Sequence, residues 1–134
     1  MTNLSAIEGI GENYSEKLKS CGVTSLEKLL FKAGTLTGRV ALANQSGISP
    51  KLISKWVNRA DLTRIKGVGG EYADLLELSG VDTVVELAQR NAANLHRRMI
   101  EVNTQKNLVR ALPSSAHVED WVNQAKSMSR AIHY

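Results

Sequence analysis

The chain has 134 residues, 43% of them hydrophobic and 22% charged, with a formal net charge of +4. That size and composition are typical of a folded domain that buries about two thirds of its unfolded surface, and the small positive charge permits a polyanionic partner without requiring one. The apolar runs are far too short to span a membrane, and the N-terminus lacks the regions of a signal peptide, so we expect a cytoplasmic protein with no membrane partner.

Two glycine-containing pentapeptides precede helical patterns at equivalent places in the sequence. Residues 7–11 read IEGIG and residues 65–69 read IKGVG, an offset of 58 positions. The register continues after them without a gap, since Tyr14 corresponds to Tyr72 and the apolar positions that follow also match. This self-similarity predicts an internal duplication of a helical unit of roughly 60 residues.

Apolar residues at helical spacing predict four helices in the first half. A capping box formed by Thr24 and Glu27 is expected to begin the second helix, and Ser49 is expected to cap the fourth. Glycines are expected to end the first three helices at Gly22, Gly34 and Gly47. The residues expected to face the core are Tyr14, Leu18 and Cys21; Leu26, Leu29 and Leu30; Val40 and Leu42; and Leu52, Ile53, Trp56, Val57 and Ala60.

The second half repeats this plan, with Asp82 and Asn94 as expected N-caps and residues 113–115 opening the last helix. The motif WVNRA at 56–60 recurs as WVNQA at 121–125, at an offset of 65 rather than 58. Seven extra residues are therefore expected between Val102 and Pro113, where they lengthen a helix or loop. The residues expected to face the core are Tyr72, Leu76 and Ser79; Val84, Leu87 and Ala88; and Leu95, Met99 and Val102.

These helical repeats predict an all-α fold of two bundles packed together, since no glycine-, serine- or proline-rich linker separates the halves. The expected division assigns residues 1–62 to the first repeat and 63–134 to the second. Trp56 and Trp121 occupy matched places on amphipathic helices. They are expected to anchor the two cores rather than to stack on nucleic-acid bases.

The stretch 65–69, the helix after it and the following Gly80 resemble a helix-hairpin-helix motif. Each half is similar to a pair of such motifs, as in the C-terminal domain of the bacterial RNA polymerase α subunit and the N-terminal domain of archaeal and eukaryotic recombinases. The whole chain resembles an uncharacterised bacterial family of tandem helix-hairpin-helix proteins, a domain of unknown function. Residues 65–88, 56–60 and 112–125 carry this match, which implies two five-helix-type (SAM-like) bundles.

The resemblance also implies binding of duplex DNA or RNA, because hairpin glycines of this class present backbone amides to a phosphate. Free amides and the positive end of the helix dipole together form an anion site. Contacts to phosphates are independent of base sequence and sensitive to salt. The residues then expected to contact nucleic acid are Arg64, Lys66, Gly67, Val68 and Gly69; Gly9, Ile10, Gly11 and Lys17; and Arg97 and Arg98.

The hairpin at 65–69 is expected to be the better phosphate site of the two. Arg64 and Lys66 lie beside it, whereas the hairpin at 7–11 is flanked by three carboxylates that would repel a phosphate: Glu8, Glu12 and Glu16. An alternative is that the glycines only permit the tight turn, while Ile10 and Val68 fill the core. His96, Arg97 and Arg98, with Lys106 and Arg110 further on, form the densest positive stretch of the chain. It is either a second strip of phosphate contacts or a solvated helix face.

A different function, a protein–protein interaction adaptor with purely structural hairpins, is favoured by the acidic first hairpin and the small net charge. A helical face or the insertion at 103–112 would then dock the partner. No phosphate-binding loop, zinc-protease helix or nucleophile elbow occurs, so we expect no enzyme and no cofactor. Cys21 is the only cysteine and the three histidines lack ligand spacing, so no metal site is expected.

Overall fold

The computed structural model describes residues 2–134, and within them the regular structure is entirely helical, which confirms the predicted all-α class. A short 3-10 turn at Leu4–Ala6 precedes the α-helices. None of the helices in this part of the chain is long and apolar enough to cross a membrane. The helices are α1 Glu12–Ser20, α2 Leu26–Ala33, α3 Leu36–Ser46, α4 Pro50–Leu62, α5 Gly70–Leu78, α6 Val84–Ala88, α7 Ala92–Lys106 and α8 Ser115–Lys126.

The chain divides into two compact units. Unit 1 contains the described residues up to Asp61 together with Ala131–Tyr134, and unit 2 spans Leu62–Arg130. The last four residues, which the sequence-based division assigns to the second repeat, thus pack with the first. They do so because Ile132 is buried in the core of unit 1, where its side chain is only 3% exposed.

Each unit is built around one buried tryptophan, as expected from the matched motifs. In unit 1 the ring of Tyr14 meets Trp56 edge-on, with ring centroids 5.0 Å apart. In unit 2 Tyr72 lies against Trp121 at 5.3 Å. Both tryptophans are almost completely buried, so neither presents a surface for stacking on bases.

Three helix starts differ from the sequence-based expectation. The observed N-cap residues are Ser25, Thr83 and Asn91 rather than Thr24, Asp82 and Asn94. In each case the side-chain oxygen accepts a hydrogen bond from the backbone N–H three residues later, in Lys28, Glu86 and Asn94 respectively. Each cap therefore satisfies a helix-start amide that has no partner within the helix.

Helix α3 is rotated relative to the predicted orientation. Val40, expected to face the core, is 48% exposed, whereas the neighbouring Arg39 is only 6% exposed. The guanidinium of Arg39 is accommodated because it donates to the carbonyl oxygens of Ala33 and Gly34, at 3.1 and 3.0 Å. Some other predicted core positions are half-buried rather than buried: Tyr14, Cys21, Leu30, Leu52, Tyr72 and Ala88.

The seven extra residues of the second half fall in two places. The loop between α3 and α4 has three residues, 47–49, whereas the loop between α7 and α8 has eight, 107–114. Five of the extra residues thus lengthen this loop, and the other two lie between the start of α6 and the end of α7. Unit 2 therefore carries a surface loop that unit 1 lacks.

Glu27 does not complete a capping box, because its carboxylate accepts hydrogen bonds from the backbone N–H and the hydroxyl of Thr2, at 2.9 and 2.7 Å. The hydroxyl bond is the main cause that lowers the pKa of Glu27 below its usual 4.5, and the backbone bond adds to it. The contribution to stability is therefore present at neutral pH and is lost as the pH falls through the lowered pKa.

We expect Glu27→Gln to lower the free energy of unfolding slightly at pH 7 and to have no effect near pH 2. The stabilisation requires the charged carboxylate, and the group is exposed, so the difference at neutral pH is small, a few tenths of a kcal/mol. Urea unfolding curves of both chains across this pH range measure it. Glu119→Gln, which removes an exposed carboxylate of α8, is the control. A difference that grows toward acid pH would contradict the assignment.

Candidate nucleic-acid interface

The turn at 65–69 is held by its two apolar residues. Ile65 and Val68 are buried in the core of unit 2, and the N–H of Val68 donates to the carbonyl oxygen of Ile65 at 3.0 Å. Lys66, Gly67 and Gly69 remain exposed. The core thus fixes the turn while its outer edge faces solvent.

The N-terminus of α5, which follows this turn, has no side-chain cap. Its N-cap residue is Gly69, and the first backbone N–H to be bonded within the helix is that of Ala73, 2.9 Å from the Gly69 carbonyl oxygen. The amides of residues 70–72 make no hydrogen bond to any residue between 2 and 134. These bare amides and the helix dipole attract an anion.

An open cleft of about 420 Å³ lies at this helix start. Arg110, which is exposed, also lines it, so one basic residue lies at the cleft beside the bare amides. Glu71 is the one carboxylate among the lining residues, and its charge opposes that of the arginine. The lining residues are Gly67, Gly69, Gly70, Glu71, Tyr72, Arg110 and Ala111.

Arg110 is carried to the cleft by the long loop of unit 2, which is anchored on both sides. The amide group of Asn103 accepts from the backbone N–H of Leu108 and Val109 at 2.8 and 3.0 Å and donates to the Val109 carbonyl oxygen at 3.2 Å. The hydroxyl of Tyr72 donates to the Ala111 carbonyl oxygen at 2.8 Å. The short stretch that contains Arg110 is therefore anchored to α7 on one side and to α5 on the other.

Sequence reasoning did not assign Arg110 to the site. Two sequence signals point toward it. Arg110 belongs to the basic stretch that begins at His96, and the shift in offset from 58 to 65 arises partly from the loop around Arg110. Only the fold shows that the loop returns to the helix start at Gly70.

The two basic residues predicted beside this hairpin lie outside the lining of the cleft. Lys66 has an exposed side chain, and its backbone N–H and C=O are both bonded to the amide of Gln124, at 2.8 and 3.0 Å. Arg64 is half-buried and donates to the Ser129 carbonyl oxygen at 2.8 Å. Lys66 thus adds positive charge near the turn, whereas the guanidinium of Arg64 is engaged within unit 2.

Arg97 and Arg98 lie on the exposed face of α7, as the helical spacing predicts. Neither lines the cleft at α5. Arg98 is paired with Glu101 one turn later, at 3.2 Å, and both side chains are more than half exposed. The pair reduces the net charge that this face offers to an anion.

The first hairpin has a similar backbone but different surroundings. Gly11 is the uncapped start of α1, and Ile10 is buried like its counterpart Val68. The first helical residue is Glu12, whereas the ammonium of Lys17 lies 5.9 Å from the ring centroid of Tyr14. The short loop of unit 1 offers no counterpart of Arg110.

The two glycines of each hairpin have different physical reasons to be glycine. Gly9 and Gly67 have φ of +96° and +100°, a conformation that other residues rarely adopt. Gly11 and Gly69 have φ of −82° and −96°, and a methyl group at either would meet no atom of the described chain within 4 Å. The second glycine is therefore not required by the turn itself.

The helices define an all-α protein with an open cleft at the uncapped start of α5. Within residues 2–134 no group of three potential ligands is placed to hold a metal ion. The chain belongs to the family described as a domain of unknown function, DUF4332, whose model matches residues 8–128. No curated protein matches the chain, and no solved structure matches it.

Proposed function

We propose that the protein is a non-catalytic module of two tandem helix-hairpin-helix repeats that binds the phosphate backbone of duplex DNA or RNA. The single observation that supports this most strongly is the uncapped start of α5 opening on a cleft that Arg110 lines. Backbone N–H groups and a guanidinium both donate hydrogen bonds to phosphate oxygens. The binding is independent of base sequence, because neither group reads base edges.

Gly69 supports a close approach of the phosphate to the backbone. Since neither φ nor the packing of unit 2 demands a glycine there, the missing side chain leaves room for a ligand outside the chain. Gly67 instead shapes the turn, and Val68 holds it to the core. In this proposal the amides after Gly69 and the side chain of Arg110 contact the phosphate, and Lys66 adds a positive charge nearby.

The first hairpin and the exposed face of α7 are secondary contacts in this proposal. Glu12 at the start of α1 weakens any anion site at Gly9, Ile10 and Gly11, although Lys17 adds one positive charge. Arg97 and Arg98 add phosphate contacts only where the duplex reaches α7. Two to four contacts in all give weak binding that falls by about 0.9 log units per log unit of salt for each phosphate engaged.

We expect Arg110→Ala to weaken binding to duplex about fivefold at low salt and to reduce the salt slope by about 0.9, as one phosphate contact is lost. Gly69→Ala is expected to weaken binding about tenfold without changing the melting temperature, because its methyl group occupies the space of the phosphate. Fluorescence anisotropy with labelled duplex DNA and RNA over a salt series measures both effects.

The matched controls for this experiment come from unit 1. Gly11→Ala makes the same change at the acidic hairpin, and Lys51→Ala removes one exposed positive charge. Lys51→Ala should bind like the unaltered chain, and Gly11→Ala should weaken binding far less than Gly69→Ala. Equal losses in the Gly11 and Gly69 variants would refute the preference for the hairpin at 65–69. Duplex binding that is unchanged in both the Gly69 and Arg110 variants would refute the site.

A second candidate function is a protein–protein adaptor with structural hairpins only. It is favoured by exposed apolar side chains of unit 1, since Phe31 is 93% exposed, Leu36 59% and Val40 48%. Leu36 and Val40 are four residues apart and therefore share one face of α3. Neighbouring exposed apolar side chains, unlike a single one, mark surfaces that bind other proteins. Capture of a protein that survives nuclease and high salt, and is lost in Phe31→Ala, would favour the adaptor over duplex binding.

A further inference from the structure

The loop at 107–114 is fixed to unit 2 along most of its length. Val109 is buried in the core of unit 2, and the amide of Asn103 bonds to the backbone of Leu108 and Val109. Further along the loop, the carbonyl oxygen of Pro113 lies 2.9 Å from Nε2 of His96 in α7. Surface loops usually have few such contacts and are mobile. This loop is instead held by side chains of the helices beside it.

Arg110 lies between two of these anchored positions. Val109, which precedes it, is held by Asn103, and the carbonyl oxygen of Ala111, which follows it, accepts from the hydroxyl of Tyr72 at 2.8 Å. The guanidinium of Arg110 makes no hydrogen bond or ion pair with any residue between 2 and 134. The backbone of Arg110 is therefore restrained on both sides, while its charged group is free for a ligand in the cleft.

Unit 1 has no counterpart of the Asn103 anchor. Asn103 and Ala43 are equivalent, because each lies four residues before the left-handed C-cap of its helix, Asn107 and Gly47 respectively. The side chain of Ala43 has no group that can bond to a loop, and the loop that follows has only three residues. The helical bundle itself thus folds without this polar anchor, which accompanies the long loop and its arginine.

We propose that Asn103 and Tyr72 are positioning residues that hold Arg110 at the phosphate site of unit 2. This inference rests on the proposed function, because the two residues have this role only if phosphate binds at the start of α5. A loop that is ordered before binding avoids the entropy cost of ordering it when the ligand arrives. Both residues act through the backbone on either side of Arg110.

A double-mutant cycle with Arg110→Ala tests this role. Tyr72→Phe removes only the hydroxyl and keeps the ring against Trp121, and Asn103→Ala removes the amide. Each should weaken binding to labelled duplex DNA and RNA about threefold at low salt. In the Arg110→Ala chain each should weaken binding by less than about 1.5-fold, because no guanidinium is left to position. A hydroxyl or amide that contacts the phosphate directly, or that only stabilises the fold, would weaken binding equally in both chains.

Hydrogen exchange measures whether the anchor orders the loop. The backbone N–H of Val109 should exchange at least about tenfold faster in the Asn103→Ala chain, because it loses its acceptor, whereas the N–H of Ala73 in α5 should exchange as before. Tyr14→Phe makes the matched change in unit 1 and should leave duplex binding unaltered. If Asn103→Ala does not fold, Asn103→Gln, which displaces the same amide by one methylene group, replaces it.

The outcomes separate this inference from the proposed function. If the unaltered chain does not bind duplex, or if Arg110→Ala binds as tightly as the unaltered chain, the phosphate site fails and the positioning role fails with it. If Arg110→Ala weakens binding, the site stands. The role of Tyr72 or Asn103 is then overturned where its substitution leaves binding unchanged or weakens both chains by the same factor. Unchanged exchange at Val109 likewise overturns the role of Asn103.

Discussion

Gly67→Ala is expected to lower the free energy of unfolding by about 2–4 kcal/mol. One part of this cost is backbone strain, because φ at this position is +100°. The other part is packing, since the new Cβ would lie 3.0 Å from Nε1 of Trp121. Trp121 is 3% exposed and lies against Tyr72, so it has little room to retreat.

Urea unfolding monitored by tryptophan fluorescence measures this loss. Gly69→Ala is the matched control, because φ is −96° there and the added methyl group meets no described atom within 4 Å. Its free energy of unfolding should change by no more than about 0.5 kcal/mol. Equal destabilisation by both substitutions would show that the two glycines do not have the separate roles assigned here.

Gly38→Ala is expected to destabilise the protein by about 3 kcal/mol, the upper end of the usual cost of overpacking. A Cβ at this position in α3 would overlap the Lys32 carbonyl oxygen near the end of α2. Backbone atoms move less readily than side-chain ends, so the clash persists. This loss is opposite to the usual effect, because a glycine-to-alanine substitution within a helix normally raises the free energy of unfolding by about 1 kcal/mol.

Asn44→Ala, at an exposed position of the same helix, is the control for helix propensity and should leave stability unchanged or slightly raised. Thermal and urea unfolding of the three chains measure the difference. A Gly38→Ala chain as stable as the Asn44→Ala chain would contradict the close packing of α2 against α3.

The burial of the apolar hairpin residues was predictable from the sequence, because apolar residues on either side of glycines in a tight turn usually pack into the core. Ile65 and Val68 are buried accordingly. Cap residues were less predictable, since Thr24 and Ser25 can both accept from a helix-start amide, and tertiary contacts decide between them. Thr2, for example, donates hydrogen bonds to the carboxylate of Glu27, and this carboxylate then does not form the capping box.

The candidate site also contains one part that the sequence predicts and one part that it does not. The bare amides after Gly69 follow from the local sequence, because glycine offers no capping side chain. The position of Arg110 does not follow from the local sequence, because Arg110 lies about 40 residues further along the chain. It reaches the cleft only through the loop that Asn103 and Tyr72 anchor. A basic residue in a loop has no periodicity that would indicate which helix it faces.

The sequence by itself determined the helical class, the duplicated glycine turns and the two buried tryptophans, because each depends on residues close together or on a repeated local pattern. Only the tertiary structure decided that Arg39 is buried, that Ile132 packs with unit 1 and that Arg110 lines the cleft. These placements depend on which backbone carbonyls and cavities the folded chain leaves open. The segments that form these acceptors and cavities are far apart in the sequence. No local sequence pattern therefore predicts that they come together.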